Sequence, residues 1–390
     1  MQPDKQRRLL YHHRTQAVDA QGIHIHELSQ AFIRNGWQVE MVSITKDEAI
    51  GKANRDEKIY QFADRIPRIL KELLEILYNI FGILRLLHKI HQIRPVFIYE
   101  RYSLFNVAGG IASRLTGIPL IVEVNAPLAF EMSSYGTLYF KKFAQFIETW
   151  IINHSFRTIT VTQVLKDILI QNGAYREKIE VMYNGINIKD FPPPPDEHEK
   201  EKGTFIIGFI GWFRKWHGLE AVLDAMQFQE WNKRSIKLLL IGDGPAKNAI
   251  AEKASQLGIA DSVTITGAVA RDRLINILGQ IDVAIQPSAT SYACPMKIIE
   301  YMAAGKAIVA PDQPNIRELL SDGVNALLFK QDDWVDFSSK INVLVNDRQQ
   351  ALRIGAAARD TVVTKDLTWD ANVRKVLAML PFCQISSSVT

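Results

Sequence analysis

Residues 291–311 read SYACPMKIIEYMAAGKAIVAP. The run from Met296 to Ala304 is helix-favouring and follows a Cys-Pro turn. Gly305 suits its end, because glycine takes the left-handed backbone that stops a helix at little steric cost. The uncharged Ala307–Ala310 that follows reads as a buried strand. One carboxylate, Glu300, and one cation, Lys297, sit on this otherwise apolar helix. A helix leading straight into a buried strand is half of a β-α-β unit. The stretch therefore commits the fold to a layered α/β sheet if the pattern repeats on either side.

It repeats. Toward the N-terminus the same rhythm runs back through Val283–Ile285, Val263–Ile265, Lys237–Ile241 and Phe205–Ile210, with helical patterns between. Further back, Thr158–Val161, Leu120–Val124, Phe97–Tyr99 and Val39–Ile44 read the same way, and His24–Asn35 reads as a helix stopped by Gly36. Such alternation implies right-handed crossovers and parallel sheets covered on both faces. Between the two series lie four prolines, Pro192–Pro195, and the charged run Asp196–Gly203. The prolines cannot continue a helix or an inner strand, and the charged run is solvated. The expected organisation is a Rossmann-like domain over 1–190, a Pro-rich linker over 191–203, a second Rossmann-like domain over 204–367, and a C-terminal helix over 368–390. For that helix, a crossing back to the first domain is one placement. Two doubly wound domains facing across a cleft would offer ligands the carboxyl ends of their strands.

The 390 residues are 47% hydrophobic and 23% charged, an ordinary soluble globular balance. The basic start MQPDKQRRLLYHH lacks an apolar core, which argues against a secretory leader. Two cysteines, Cys294 and Cys383, are too few for a disulfide framework and fit a reducing, cytoplasmic setting. Residues 1–195 carry 24 Lys and Arg against 19 Asp and Glu, and the remainder 22 against 23. That imbalance fits acidic partners or an anionic membrane surface and is too weak for nucleic acid. The most apolar segment, Ile66–Ile90, has a longest uncharged run of nine residues, Ile76–Leu84. A membrane span needs roughly 20. The segment is amphipathic with basic flanks at Arg65, Arg68, Lys71, Arg85, Lys89 and Arg94, so two readings stay open: a helix packed on a sheet, or an interfacial membrane helix. Thr137–Arg157 is a second stretch that could dock the first domain on a membrane.

Four loops at successive strand ends of the second half carry the chemistry. Gly211-Trp-Phe-Arg-Lys-Trp-His-Gly218 leads into a helix near Leu219 and brings Arg214 and Lys215 close to free helix amides, a combination suited to a diphosphate. Gly242-Asp-Gly-Pro245 and Gly267-Ala-Val269 follow the next two strands. The fourth loop ends at Pro295, where the amides of Met296, Lys297 and Ile298, with the Lys297 charge, would meet the same diphosphate. Glu300, one turn in, could accept hydroxyl hydrogen bonds from a ribose. A plain strand-to-helix turn, or a helix-surface carboxylate, would look alike at any one of these sites. None is G-x-G-x-x-G or G-x-x-x-x-G-K-[ST], and C-x-x-C, H-E-x-x-H and D-x-D are missing. A dehydrogenase and a P-loop NTPase are disfavoured, and neither a cofactor nor a metal is expected.

Nearly the whole chain resembles a GT-B glycosyltransferase of the retaining family 4, or group 1, type. PMKIIEYMAAGKAIVAP, with NIRELLSDGVNALLF behind it, is similar to the family's E-A-M-A-x-G-x-P-V-V donor segment. GFIGWFRKWHGLEAVLDAM, LLLIGDGP and ITGAVARDRLINIL fall in the family's order. GIHIHELSQAFIRNGWQVEMVSI looks like its opening glycine loop and helix, and VMYNGINIKDF like its pre-linker segment. The resemblance implies a nucleotide-sugar as donor substrate, bound by Gly211, Trp212, Gly244, Val269, Tyr292, Met296, Lys297, Ile298 and Glu300. Glu300 would hold the ribose, and backbone atoms near Val269 would read the base. Arg214 and Lys215 would stabilise charge on the leaving diphosphate, with Asn125 at the position of a first-domain histidine. A sugar- or lipid-linked acceptor would lie against the first domain near Gly22, His24, Arg101, Tyr102 and Glu123. Three positions depart from the pattern. Tyr292 stands where the family has a second Glu, Trp212 and His217 where it has a basic pair, and Asn125 where it has His.

The implied reaction transfers a hexose to an acceptor hydroxyl, in polysaccharide or glycolipid biosynthesis, at the cytoplasm or the cytoplasmic membrane face. No dedicated pair of catalytic carboxylates is required, unlike a glycoside hydrolase. Two rivals stay open: another GT-B enzyme such as a nucleotide-sugar epimerase, and a non-catalytic GT-B scaffold.

Overall fold

A computed structural model describes residues 7–15, 20–43, 67–134, 136, 138–192 and 203–381. The chain divides into two compact units, Met1–Tyr183 together with Trp369–Thr390, and Asn184–Thr368. Each is built on one parallel sheet of six strands among the described residues.

In the first unit the strands are β1 (Arg8–His12), β2 (Gln38–Val42), β3 (Phe97–Arg101), β4 (Leu120–Val124), β5 (Arg157–Thr160) and β6 (Ile179–Val181), in the order β2-β1-β3-β4-β5-β6. Helices such as Ala20–Arg34 and Arg68–Ile93 make the crossovers. β3 and β4 are buried at every position, as strands covered on both faces must be. Their charged residues, Glu100, Arg101 and Glu123, fall at or near the carboxyl ends. The register sets His12 opposite Glu100 and Arg101 opposite Glu123. The Trp369–Met379 helix belongs to this unit: the Arg34 guanidinium pairs with Asp370 at 3.1 Å, and the His24 and Trp369 rings meet edge to face, 4.8 Å between centroids.

In the second unit β7 (Phe205–Ile210), β8 (Ile236–Ile241) and β9 (Val263–Ile265) run outward on one side of β7. β10 (Val283–Ile285), β11 (Ala307–Pro311) and β12 (Leu327–Phe329) run outward on the other, giving the order β12-β11-β10-β7-β8-β9. The direction of winding reverses between β7 and β10. In such sheets the loops leaving that pair diverge and open a ligand crevice at their carboxyl ends. Trp231, Phe209, Phe213, Phe329 and Phe337 fill the core beneath.

The sequence pattern does not mark β1, β6 or β12. β1 reads as part of a basic terminus, β6 carries Glu180 at its centre, and β12 is the short run Leu327–Phe329. β2 ends at Val42; Ile44 and most of the proline-rich linker, residues 193–202, lie outside the described residues. Gly22 does not sit in a loop. It is buried in the first turn of the Ala20–Arg34 helix.

Glu148, on the Lys141–His154 helix, is 3% exposed and accepts the Ala129 amide at 3.2 Å. Burial pushes its carboxyl up to about 7, against those backbone hydrogen bonds. A carboxyl raised on folding adds stability that is complete at acid pH and is lost as pH rises through about 7. Relative to Glu148→Gln, the native chain should therefore lose on the order of 3 kcal/mol between pH 4.5 and pH 8. Urea unfolding at the two pH values measures this, and a pH-independent gap would contradict it.

Candidate functional site

At the carboxyl end of β7, Gly211 has φ 149°, and a Cβ there would stand 2.8 Å from the Lys297 Nζ. The positive φ favours glycine there, and any other side chain would also displace the flexible end of Lys297. The loop after β8 packs against the same segment. The Phe213 amide donates to the Asp243 carbonyl at 2.6 Å, and the Ala246 amide donates to the Phe213 carbonyl at 3.1 Å. A Cβ on Gly244, φ 147°, would fall 2.4 Å from the Phe213 nitrogen. Gly244 is thus required by loop-against-loop packing before any ligand is considered.

Lys297 lies in the first turn of the Met296–Ala303 helix. Its Nζ sits 4.0 Å from the centroid of the Phe209 ring and 3.4 Å from His217 Nε2. His217 is buried, and its Nδ1 accepts the Arg214 amide at 3.1 Å. Burial, then Lys297 and Arg214, press its pKa down to about 3. A neutral imidazole whose Nδ1 accepts carries its proton on Nε2. Nε2–H therefore points at the Lys297 nitrogen, which can accept it as the neutral amine but not as the ammonium, when two donors would face each other. Burial lowers Lys297 to about 7, although Glu300 pulls the other way. An anion held between the two donors would satisfy both and restore the ammonium charge.

Glu300 is 6% exposed, and its Oε1 pairs with the Arg271 guanidinium. Arg271 opens the Arg271–Gln280 helix, directly after the loop that carries half-buried Val269, and its guanidinium lies 5.7 Å from the Phe191 ring centroid. Its Nε is buried and unpartnered. The Tyr301 hydroxyl accepts the Ile210 amide at 2.8 Å and fixes the helix to the end of β7. The loop before the helix is pinned by buried amides: Asn184 Nδ2 donates to the Cys294 carbonyl at 2.7 Å, and Asn315 Nδ2 to the Ala293 carbonyl at 2.7 Å.

The first unit gathers a different set. Glu123 accepts the Tyr99 hydroxyl at 2.5 Å, Arg101 Nη1 at 2.7 Å and Asn125 Nδ2, with His24 Nε2 3.6 Å away. Arg101 Nη1 also meets His24 Nδ1 at 3.2 Å. Burial opposes ionisation of Glu123, but His24, Arg101, Tyr99 and Asn125 together hold its pKa below the usual value. One strand over, His12 Nδ1 pairs with Glu100, which also accepts the Gly109 amide at 3.1 Å. Unpartnered buried polar atoms lie along this edge: His13 Nε2, Glu100 Oε1, Tyr102 Oη and Asn106 Nδ2. Among the described residues, no group of three or more His, Cys, Asp or Glu side chains is placed to hold a metal ion.

Residues 191–361 match the family model for glycosyl transferases group 1, and residues 21–190 that for glycosyltransferase family 4. The chain belongs to this glycosyltransferase family. It is 22% identical over 221 residues to an uncharacterized glycosyltransferase of Methanocaldococcus jannaschii, covering 56% of each chain. It is 23% identical over 215 residues to the 2-deoxystreptamine glucosyltransferase of Streptomyces kanamyceticus, covering 52% of this chain and 55% of that one. The matches thus span about half the length of these curated relatives. Among solved structures, Anabaena HepE in complex with UDP superposes with a TM-score of 0.72 at 17% identity, over 96% of this chain and 100% of that one. The fold is GT-B.

Within this family member, the residues expected from sequence divide into two groups. Gly211, Lys297 and Glu300 come together around the end of β7, joined by His217, which the sequence marks only as a departure from the family's basic pair. Met296 and Lys297 offer their amides at the helix start, but the Ile298 amide donates to the Pro295 carbonyl at 3.1 Å and is not free for a ligand. Arg214, Lys215 and Trp212 have exposed side chains, and the described hydrogen bonds and ion pairs join none of them to Lys297 or Glu300. Tyr292 is half-buried in the pinned loop. His24, Arg101, Glu123 and Asn125 form one network, with Tyr102 beside it. Arg271 escapes the sequence reading; the only hint is a basic residue opening the helix after Gly267-Ala-Val269.

Lys297 offers a test without ligand. Its reaction with acetic anhydride, followed by mass spectrometry, should show a pH midpoint near 7. A midpoint near the ordinary lysine value, about 10.4, would show that the amine is solvated.

Proposed function

We propose that the chain is a retaining, metal-independent glycosyltransferase that moves a hexose from a nucleoside diphosphate sugar to an acceptor hydroxyl on a glycan, glycolipid or other glycoconjugate. The observation that carries this reading is the facing pair of nitrogens, Lys297 Nζ and His217 Nε2, 3.4 Å apart at the switch between β7 and β10, which become two donors once Lys297 is protonated. Family membership and the UDP bound to HepE support a nucleotide as the ligand.

On this reading the diphosphate bridges Lys297, His217 and the Met296 and Lys297 amides. The ribose hydroxyls meet Glu300, whose Oε2 carries no described ion pair and whose Oε1 is held by Arg271. The base lies against the backbone near Val269. As the bond from sugar to diphosphate breaks, negative charge grows on the leaving oxygens, and the preorganised donors stabilise it. Losing one such donor typically costs about 2.7–4 kcal/mol in the transition state. Lys297 thus supplies charge that the family's basic pair, replaced here by Trp212 and His217, would otherwise bring. Arg214 and Lys215 add a diffuse positive field from the surface. The leaving phosphate accepts the acceptor proton, so no carboxylate nucleophile is needed. The acceptor lies at the edge of β1, β3 and β4, where His13, Glu100, Tyr102 and Asn106 carry unpartnered atoms.

The Arg271–Glu300 pair and the exposed Arg214 and Lys215 favour one rival, a non-catalytic GT-B scaffold. Calorimetry with UDP, GDP and ADP separates the two. The glycosyltransferase reading expects one of them to bind, with roughly tenfold to hundredfold loss in Lys297→Met and loss of detectable binding in Glu300→Ala. It also expects sugar release from the matching nucleotide-sugar. Binding of none, or binding without turnover in the presence of a cell extract as acceptor, would move the assignment to the scaffold.

A further inference from the structure

The Arg68–Ile93 helix is turned inside out over its first four turns. Its 26 residues should bury their apolar stripe on the sheet and show their polar residues to water. Toward its C-terminus it does so, burying Leu86 and Ile90. In the N-terminal half the buried positions are Glu72, Asn79 and Gly82. Each has a structural partner. Glu72 accepts the Tyr139 amide at 2.8 Å and the Phe140 amide at 2.9 Å. Asn79 donates to the Phe105 carbonyl at 2.8 Å and accepts the Val107 amide at 2.9 Å. Gly82 lets the helix approach Ala108. The outward face carries Ile69, Leu70, Leu73, Leu74, Leu77, Ile80, Phe81 and Leu84, all 41–62% exposed. Their spacing follows one helical stripe about 23 Å long.

The exposed apolar surface continues onto the next elements. Tyr139, whose amide is tied to Glu72, is 64% exposed, and Phe146 on the Lys141–His154 helix is 61% exposed. Eight exposed apolar side chains on one face of a helix, with exposed rings on the element tied to it, mark an interaction site.

The charges around it choose the partner. Arg68, Lys141 and Lys142 are exposed and Lys71 is half-exposed at the same end of the helix. The carboxylates nearby are compensated or withdrawn: Glu72 and Glu148 are buried on backbone amides, Glu75 faces Arg14, and Glu131 is half-buried. An apolar stripe flanked by cations and aromatic rings on a convex helix fits the headgroup boundary of an anionic bilayer, which takes apolar side chains into the acyl edge and pairs cations with phosphate. We propose that this face docks the protein on an anionic membrane surface. No helix among the described residues is long and apolar enough to cross a membrane, so the contact is peripheral.

The test uses the full chain and vesicles of phosphatidylcholine, with and without about a third phosphatidylglycerol. Flotation should recover the protein with the anionic vesicles and not with the neutral ones. Lys141→Ala/Lys142→Ala should weaken that binding about tenfold, as should high salt. Leu77→Glu/Phe81→Glu should abolish it, with an unfolding midpoint equal to or above that of the native chain, because both side chains are exposed. No flotation, or flotation undiminished in Leu77→Glu/Phe81→Glu, overturns the proposal. A native dimer that this variant dissolves, with no vesicle binding, would assign the face to a second copy instead. None of these readouts depends on nucleotide binding.

Discussion

Lys297 is half-buried, and its amine lies in surroundings that disfavour its charge. Its amine lies against the Phe209 ring and the backbone of Gly211, with a neutral imidazole as its polar neighbour at 3.4 Å. Burial of a lysine favours the uncharged amine, and the site is poised near neutrality for that reason. Much of the second unit serves this arrangement. Gly211 leaves room for the amine, Tyr301 ties its helix to β7, and the Arg214 amide fixes the His217 tautomer. The switch in winding between β7 and β10 sets all of them at one edge of one sheet.

The first unit solves a different electrostatic problem. Its strand ends bury Glu100 and Glu123, and each is compensated by a cationic or potentially cationic side chain on the same or an adjacent strand or helix: His12 for the former, Arg101 and His24 for the latter. Buried charges of this kind persist only when paired and hydrogen-bonded. The Glu123 network is closed on itself, whereas the Glu100 side leaves polar atoms unmet.

Most of the architecture is legible in the sequence, because parallel strands covered on both faces give unbroken apolar runs. Leu120–Val124, Phe205–Ile210 and Val283–Ile285 are read to the residue. β1 is hidden since its residues Arg8 and His12 break the run and β6 carries Glu180 at its centre, while β12 is as short and apolar as β10 and is passed over. Site residues follow the same logic. Glu300 and Lys297 can be placed because a helix and a glycine bracket them. The partner of Glu300, Arg271, comes from 29 positions away, and no local pattern announces a contact between two helices. Arg214 and Lys215 read in the sequence as phosphate ligands; the short 3-10 turn Lys215–His217 directs His217 inward and leaves both cationic side chains exposed. The direction of each side chain depends on that turn, which composition does not specify.

The most direct test of the account is the proton balance of nucleotide binding. At pH 8 the free protein should hold Lys297 largely as the neutral amine, and a bound diphosphate should return it to the ammonium form. Titrating whichever of UDP, GDP and ADP binds at pH 8, in two buffers of different ionisation heat, should therefore show net proton uptake approaching one per site. That uptake should fall toward zero by pH 5.5, where the amine is already charged, and should vanish in Lys297→Met. Binding with no proton exchange at pH 8, or uptake unchanged in Lys297→Met, would contradict it.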